Sequence, residues 1–496
     1  MSRRRSYILL FSAVFVTVVV SCQHATENVM RFGLSAAPVT LDPRYATDAT
    51  SARINRLLYQ RLVDFDEHAL PIPAIADWQQ VSALHYRFQL NDAVRPFHNG
   101  APVTTADVKA TYDYVLDPKN ASPQRAALTL IDKIETPTAA TIDFYLTHPD
   151  PMFPGYLVLG ILPAALIAAN HPFNQYPIGS GPYSFIAWPE EGRLQLQRRR
   201  DAQMLEFIRV ADTTVRVLKL VRHEIDMLQN DLSPELIRYL GRQQGIVVQK
   251  GKGTNFTYLG INLQDAQLAK PPIREAIAYA IDRSAIIRYV FDGAARPASA
   301  LLPPDHWAGV KELKGYDYDP ARARRLLDDL GFNAQNPLRL TYKTSSDPFR
   351  IRVATILQSQ LAAVGIQVDL RTYDWGTFYA DIKAGNFQLY SLSWVGIHTP
   401  DIFRYVFHST SLPPEGANRG RYQDEQVDHL LDEAQTALSL AQQAQAFQAV
   451  QRRVLETLPY IPLWYEDHIF IANQNITGYR VNVEGNYDGL VTAVKR

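Results

Sequence analysis

The sequence predicts a mixed α/β protein with more than one lobe. Segments with a helical spacing of apolar residues alternate with strand-like segments from about residue 30 to the C-terminus, and no repeat period or low-complexity stretch interrupts them. The chain has 496 residues, 47% of them hydrophobic, so it can bury a large core and is too long for one compact lobe. These observations exclude a disordered chain.

The first predicted element is a signal peptide at residues 1–21. Three arginines at positions 3 to 5 precede an uncharged apolar run of about 14 residues, which ends at Ser21. A helix needs roughly 20 apolar residues to span a bilayer, so this run is too short for a stable membrane span. A permanent membrane anchor is the alternative to a cleaved signal.

Cys22 is the only cysteine of the chain, so no disulfide can form within it. It directly follows the apolar run, and the four residues Val19–Cys22 resemble the bacterial lipobox, in which the cysteine is lipidated and becomes the new N-terminus. Two or three acyl chains anchor a protein stably. We therefore predict lipidation at Cys22 and a tether over residues 22–30. The sequence leaves open whether the inner or the outer membrane carries the anchor.

Four helices can be placed from the residues that begin and end them. Aspartate and threonine are favoured as N-caps, proline in the first turn and glycine after the last turn. Apolar residues three or four positions apart then mark the buried face. The stretches with this pattern are Thr104–Val115, Asp319–Gly331, Val353–Gly365 and Asp424–Ala434, and the third is followed by a strand-like alternation over Ile366–Leu370.

Catalytic motifs are absent from the sequence. It has no G-x-S-x-G turn, no P-loop, no H-E-x-x-H motif and no second cysteine, and its twelve histidines are dispersed. Residues 179–182 are interpreted as a turn, because Pro182 lacks the N–H that a phosphate loop needs. Basic and acidic residues number 50 each, which leaves no basic stripe for nucleic acid. We predict a binding protein that is not an enzyme, has no nucleic-acid partner, and carries no metal or cofactor.

Several short sequence blocks, each different, follow one another along the chain. In the first half they are Pro38–Pro43, Tyr86–Leu90, Phe97–Gly100, Gly179–Tyr183 and His223–Asp226. In the second half they are Leu259–Asn262, Arg274–Arg283 and Asp319–Gly331. In type and order these blocks resemble the extracellular solute-binding protein family 5, the oligopeptide-, dipeptide- and nickel-binding lipoproteins of ABC importers. The resemblance covers nearly the whole chain after the predicted tether.

This resemblance implies a two-lobed periplasmic-binding-protein fold of type II, cluster C-like, with two crossovers and the ligand between the lobes. Lobe I would consist of residues 31–47, 179–258 and 469–496, with an inserted extra subdomain at 48–178, and lobe II of residues 259–468. Closure of the lobes would bury the ligand and present it to the permease. The resemblance also implies a monomer that acts outside the cytoplasm and whose partners are a peptide-like solute, the ABC permease and, through the lipid, a membrane.

The candidate ligand-binding residues lie around the predicted strand Gln388–Trp394. A peptide that adds to a strand edge uses backbone groups that are the same in every sequence, so such a strand can receive many peptides. Within it we expect Tyr390, Ser391 and Ser393 to contact the ligand. Trp394 either stacks on the ligand or belongs to the core.

The resemblance also implies an acid for the ligand's terminal ammonium, within three residues of this tryptophan. Ile397 stands there instead, and burying an ammonium without a counter-charge is costly. Either Asp401 replaces the missing carboxylate, or the ligand has no free amine and amine-blocked peptides bind at least as tightly as free ones. Arg350, Arg404 and Arg421 are candidate clamps for a ligand carboxylate.

Two other functions stay open at this point. One fold can serve many ligands, so the solute could be a metal chelate such as a nickel complex, or another non-peptide solute. The dispersed histidines disfavour a naked metal ion. A lipid-anchored hydrolase is the remote alternative, and the lack of a nucleophile with a neighbouring base argues against it.

Overall fold

The computed structural model describes residues 29–190, 192–397 and 399–496. The predicted signal peptide, Cys22 and most of the predicted tether therefore lie outside the described residues. The strands are β1 (Val29–Leu34), β2 (Val63–Phe65), β3 (Pro71–Pro73), β4 (Ala76–Ser82), β5 (His85–Leu90), β6 (Ile131–Glu135), β7 (Thr141–Leu146), β8 (Tyr183–Glu190), β9 (Arg193–Arg198), β10 (Met204–Arg209), β11 (Met227–Gln229), β12 (Ile246–Ile261), β13 (Ala295–Pro297), β14 (Leu338–Ser345), β15 (Ile366–Tyr373), β16 (Leu389–Trp394), β17 (Tyr460–Asn473), β18 (Ile476–Thr477) and β19 (Val494–Lys495).

The α-helices lie between these strands along the chain. They are α1 (Ala49–Leu58), α2 (Thr105–Leu116), α3 (Ala164–Ala168), α4 (Thr213–Val221), α5 (Pro234–Leu240), α6 (Pro271–Ala280), α7 (Arg283–Tyr289), α8 (Pro320–Asp328), α9 (Pro348–Ala362), α10 (Trp375–Ala384), α11 (Ile402–Phe407), α12 (Glu425–Thr436) and α13 (Leu440–Thr457). In the part of the chain that the structure covers, no helix combines the length and the apolar character that crossing a bilayer requires.

A mixed sheet of eleven strands runs through the molecule. Its order is β15-β14-β16-β12-β17-β11-β1-β10-β9-β8, and β13 pairs with β17. The two longest strands, β12 with 16 residues and β17 with 14, lie antiparallel in the middle and belong to both halves of the sheet. We call the half that contains β1 and β8–β11 lobe I and the half that contains β13–β16 lobe II. The predicted mixed α/β class is confirmed.

Each half of the sheet has its own hydrophobic core. The core of lobe I contains Phe32 and Phe207. In lobe II, helices cover both faces of the sheet. On one face α6 and α9 pack in a core that contains Leu357. On the other face α10–α13 pack in a core that contains Phe403. We call these the α9 face and the α10 face. A further core lies in the segment between β1 and β8, around the antiparallel sheet β4-β5-β7-β6. We call this segment the insertion.

The two long strands cross from lobe I to lobe II where residues 251–255 of β12 lie opposite residues 466–468 of β17. On one side Val248 packs with α4 and α5, and on the other side Phe256 lies on the α10 face. The pairing of β12 with β17 shifts register between these two points. A Cβ on Gly253 would lie 2.2 Å from the carbonyl oxygen of Glu466, so the close approach of the strands requires a glycine there. The predicted lobe boundaries stay predictions.

His468 is buried beside this crossing. The N–H of Ile469 donates to the amide oxygen of Asn230 (2.9 Å), so the amide nitrogen of Asn230 faces Nδ1 of His468 (3.1 Å) as a donor. Nε2 of the ring lies 3.0 Å from the carbonyl oxygen of Val483. Burial lowers the pKa of His468 to about 4. The ring is therefore neutral at pH 7, with its proton on Nε2.

The predicted helix starts are confirmed by their caps. A carboxylate oxygen of the N-cap accepts a backbone N–H in α8 and α12, and a threonine with an aspartate three residues later forms a capping box in α2. The helix predicted over Val353–Gly365 begins earlier than its apolar pattern, because a proline occupies its first position. The caps are Asp319, Asp424, Thr104 and, for this last helix, Asp347.

The glycine turn before β8 packs against the end of α1. A Cβ on Gly179 would lie 2.1 Å from the carbonyl oxygen of Leu58, and one on Gly181 would lie 2.3 Å from that of Leu57. The N–H of Gly181 donates to the oxygen of Leu58 (2.9 Å). These glycines allow two backbone segments to touch, so the stretch has a structural role.

Candidate ligand-binding cleft

The carboxyl ends of β14, β15 and β16 form the edge of lobe II that faces lobe I. β14 runs parallel to both of its neighbours, and open α/β sheets bind ligands at such edges. Two contacts cross from this edge. Arg352, near the start of α9, pairs with Glu235 of α5 in lobe I. Asp401, just beyond β16, contacts Tyr156 of the insertion. The candidate cleft therefore lies between this edge and the facing surface of lobe I and the insertion.

Strand β16 has an unpaired edge at the cleft. β12 pairs with it along its whole length, whereas β14 pairs with it only at Leu389 and Tyr390. Among the described residues, no strand pairs with residues 391–394 on that second edge. Its backbone donors and acceptors can therefore receive an added peptide strand, which is the geometry that the sequence predicted for this segment.

The alternation of side chains along β16 separates the predicted ligand residues. Tyr390 and Trp394 lie on the α10 face, while Ser391 and Ser393 point to the α9 face. Tyr390 is 3% exposed, and its ring fills the space beside Gly260, where a Cβ would lie 2.2 Å away. The structure thus does not bring the four residues together on one surface, and Tyr390 is a core residue.

The two serines belong to a polar network on the α9 face. Tyr342 donates its O–H to Ser391 (2.8 Å). Ser393 lies 2.6 Å from the hydroxyl of Thr257, which donates to Glu466 (2.8 Å), and Glu466 pairs with Arg350 (3.2 Å). Arg350 is in the first turn of α9, at the cleft edge, so this network extends to the cleft along the α9 face of β16.

Asp401 contacts the insertion across the cleft. The phenol oxygen of Tyr156 lies 2.8 Å from Oδ2 of Asp401 and 2.9 Å from Oδ2 of Asp150. Desolvation by surrounding protein raises the pKa of Asp401, although the hydrogen bond from Tyr156 opposes this shift. Burial holds the pKa of Tyr156 well above its ordinary value, so the phenol keeps its proton. The hydroxyl proton of Tyr156 is therefore shared as a hydrogen-bond donor between the carboxyl groups of Asp401 and Asp150.

Ile397 borders the space between the lobes. It is half-buried and lines a cavity of about 50 Å³ between the insertion, the strand crossing and lobe II. Two cations at this cavity are already paired: Lys252 with Asp305 (2.8 Å) and Arg296 with Asp467 (3.0 Å). The cavity has room for only one or two water-sized groups.

Two of the three candidate arginine clamps are engaged elsewhere. Arg404 pairs with Asp432 on α12. Arg421 donates to the carbonyl oxygen of Lys383 (3.1 Å), at the carboxyl end of α10. That helix has 10 residues and begins at the cleft edge, so its far end is about 15 Å away from the cleft. These positions lend no support to either residue as a clamp.

Sequence reasoning missed three residues of this region. Tyr156 and Asp150 lie some 245 residues before Asp401, and no local pattern connects them. Arg419 lies with its guanidinium carbon 4.8 Å from the ring centroid of Trp394, in the geometry of a cation–π contact. Trp394 is itself half-buried and also contacts Tyr405 edge-on, at 6.4 Å between centroids. Its ring therefore belongs partly to the core and partly to the cleft wall.

Within the residues that the structure describes, no three side chains of histidine, cysteine, aspartate and glutamate are grouped as a metal site requires. The charged groups of the cleft include two carboxylates at Tyr156 and two separate cations, Arg350 and Arg419. Carboxylates and guanidinium groups at the walls of an interlobe cleft fit a ligand that carries both charges.

Comparisons with known proteins agree with this architecture. The model for bacterial extracellular solute-binding proteins, family 5 (middle part), matches residues 70–412. Di/tripeptide-binding protein 2 of Pseudomonas aeruginosa is 28% identical over 516 aligned positions, 96% of each chain. Glutathione-binding protein GsiB of Escherichia coli is 26% identical over 493 positions, 95% of each chain. NikZ from Campylobacter jejuni, solved in complex with Ni(L-His), is 24% identical with a TM-score of 0.77, over 95% of this chain and all of that one, and shares the fold.

The family match extends over well more than half of the chain, and the two-lobed fold implied by the sequence blocks is confirmed. Proteins of this family are transport proteins without catalytic activity that act outside the cytoplasm. The chain therefore belongs to the bacterial extracellular solute-binding proteins, family 5, and is the substrate-binding protein of an ABC importer for peptides or related solutes.

Proposed function

We propose that this protein captures short peptides with free termini between its two lobes and delivers them to the permease of its importer. The observation that carries the proposal is the unpaired edge of β16 at residues 391–394, which lies where lobe II faces lobe I. A peptide strand added there makes hydrogen bonds that do not depend on its sequence. The di/tripeptide- and glutathione-binding relatives support a short ligand.

The amine end of the peptide would bind at Asp401. Tyr156 has one O–H proton, and the carboxyl groups of Asp401 and Asp150 both lie within hydrogen-bond distance of its oxygen. The carboxyl groups also accept from the N–H of Met152 (2.8 Å, to Asp150) and from the side chain of Thr399 (to Asp401), but these donors are neutral and add no positive charge. A ligand ammonium supplies a full charge together with up to three N–H groups. Asp401 thereby takes the place of the acid that Ile397 lacks.

Capture would proceed by hinge closure at the crossing of β12 and β17. The register shift and the glycines at positions 251 and 253 make the pairing irregular where residues 251–255 of β12 lie opposite residues 466–468 of β17. Contacts between the insertion and lobe II then hold the closed form: the N–H of Trp307 donates to the carbonyl oxygen of His68 (2.9 Å), and Tyr156 contacts Asp401. Hinges of this kind are typical of proteins that close around a ligand.

The protein would act as a lipid-anchored monomer. The position of Cys22 directly after an apolar run of about 14 residues supports lipidation and removal of residues 1–21. Residues 22–30 would then tether the folded part to the membrane and leave the lobes free to close. Which membrane carries the anchor depends on signals that the four-residue motif does not contain.

Calorimetric titration with a small panel of solutes tests the proposed function. We expect trialanine and dialanine to bind, with heat that saturates at one ligand per protein. Reduced glutathione and the nickel–histidine complex serve as the competing solutes. Tighter binding of the nickel complex than of either peptide would support the metal-chelate alternative. Cleavage of trialanine, followed by chromatography of the same samples, would support the hydrolase.

A further inference from the structure

Arg419 lies under the cleft wall of lobe II, in the loop between α11 and α12. It is 8% exposed, and its guanidinium carbon lies 4.8 Å from the ring centroid of Trp394 and 5.6 Å from that of Tyr379. Tyr379 in turn stacks on Trp375, the first residue of α10, at 5.5 Å between centroids. Trp375 is 58% exposed. Because α10 begins at the cleft edge, a row of rings connects the cleft with the guanidinium of Arg419.

The guanidinium has no acidic partner. In residues 29–190, 192–397 and 399–496, it donates to the phenol oxygens of Tyr258 (2.9 Å) and Tyr379 (3.3 Å), the phenol of Tyr390 interacts with it as well, and no carboxylate pairs with it. A guanidinium has five N–H donors in a planar fork. Part of its donor capacity is therefore left for a further acceptor, and no anion among the described residues balances its charge.

Other buried or half-buried arginines of this protein are satisfied differently. Arg198 pairs with Asp201 (2.8 Å). Arg274 and Arg283 donate to backbone carbonyl oxygens, with four and three hydrogen bonds respectively, and so join separate loops. Phenols and a ring face offset less of the cost of burying a cation. Arg419 is thus the buried arginine of this set with the weakest compensation.

The charge of Arg419 is nevertheless kept. Burial by itself lowers the pKa of this guanidinium, but the surrounding phenol groups, Tyr258 first among them, raise it above the ordinary value. Burial also holds the pKa of Tyr390 well above its usual range, so that neighbouring phenol stays neutral. A full positive charge without an anion therefore persists beside Trp394.

We propose that Arg419 binds the C-terminal carboxylate of the captured peptide, with Tyr379 and Trp394 beside it. A carboxylate matches the two parallel N–H groups of the guanidinium fork and supplies the missing counter-charge. This inference rests on the proposed function, in which Asp401 binds the ammonium at the other end of the same ligand.

Calorimetry with trialanine and trialanine amide tests this assignment. The two ligands differ only in the C-terminal charge. We expect the wild type to bind the free acid at least about tenfold more tightly than the amide, the ratio expected for one hydrogen bond to a charged group. Arg419→Met should bring the ratio close to one, mainly by weakening binding of the acid. Arg421→Met, which removes a guanidinium two residues away that points to the far end of α10, should keep the wild-type ratio.

The possible outcomes separate this inference from the proposed function. If wild type binds neither form of trialanine, the proposed function fails. If it binds both forms equally, or if Arg419→Met keeps the preference for the acid, peptide binding stands and the role of Arg419 is refuted. Should Arg419→Met fail to fold, Arg419→Lys decides, since it keeps the charge and loses the fork. The preference should then fall at least about threefold, and an unchanged ratio would overturn the assignment.

Discussion

Asp401→Asn should lower the preference for trialanine over N-acetyl-trialanine by ten- to hundredfold. The substitution keeps the size of the side chain and removes the charge that faces the ligand ammonium. A hydrogen bond to a charged group contributes about 1.5–3 kcal/mol, which corresponds to that range of affinity. Calorimetric titration of both proteins with both ligands gives the ratio, and the affinity for the acetylated peptide should change little.

The same preference should depend on pH. The carboxyl of Asp401 attracts an ammonium only when it is ionised, and desolvation raises its pKa above the ordinary value of 3.8. The preference is therefore complete near pH 7, where the ligand's α-amino group is still mostly protonated, and is lost as the pH falls through this raised pKa, so the loss begins at a higher pH than for an ordinary aspartate. Repeating the titrations between pH 7 and pH 4 locates the midpoint.

Ile397→Asp is the matched gain-of-charge variant. It restores an acid at the position where the relatives' pattern places one, and we expect it to raise the preference for the free amine further. If the wild type binds acetylated trialanine as tightly as the free peptide, Asp401 is not an amine anchor. If neither Asp401→Asn nor Ile397→Asp changes the ratio, the ligand's N-terminus does not lie beside Asp401.

Cys22→Ala should abolish lipid anchoring completely. The substitution removes the only thiol of the chain, and no other residue can accept the acyl chains. In a bacterial host, the wild type should enter the detergent phase and carry mass added at Cys22, whereas the variant should be released or remain with its signal uncleaved. The measurement is detergent-phase partition followed by mass spectrometry of the N-terminal peptide.

Ser21→Ala provides the control for this change. It alters the neighbouring residue to another small one and leaves the thiol in place, so processing and partition should stay as in the wild type. Equal membrane retention of the wild type and Cys22→Ala, with residues 1–21 present in both, would contradict lipidation and favour a permanent membrane anchor.

Several features of the fold could be predicted from residues close together in the sequence. N-caps such as Asp319 and Asp424 act on backbone groups within three residues, so the sequence alone reveals them. The glycine turn at residues 179–181 was recognisable for the same reason, although the contact with α1 that requires the glycines was not. The two-lobed fold followed from the resemblance of the sequence blocks to family 5, and the blocks by themselves do not specify it.

The candidate site was harder to predict, because its contacts are long-range. Asp401 resembled an ordinary turn residue after Pro400, and only folding brings it to Tyr156, 245 positions earlier in the chain. Tyr390 and Arg421 carry suitable side chains, but Tyr390 is buried against Gly260, and Arg421 lies at the far end of α10 from the cleft. Arg419 gave no signal, since its surroundings come from three separate elements.

Native mass spectrometry of protein purified without refolding tests the central claim, capture of a peptide between the lobes, most directly. The account predicts a retained adduct, at one copy per protein, whose mass and fragmentation identify a short peptide with free termini. Addition of trialanine should displace it. A retained metal chelate or another non-peptide solute, not displaced by trialanine, would contradict the account.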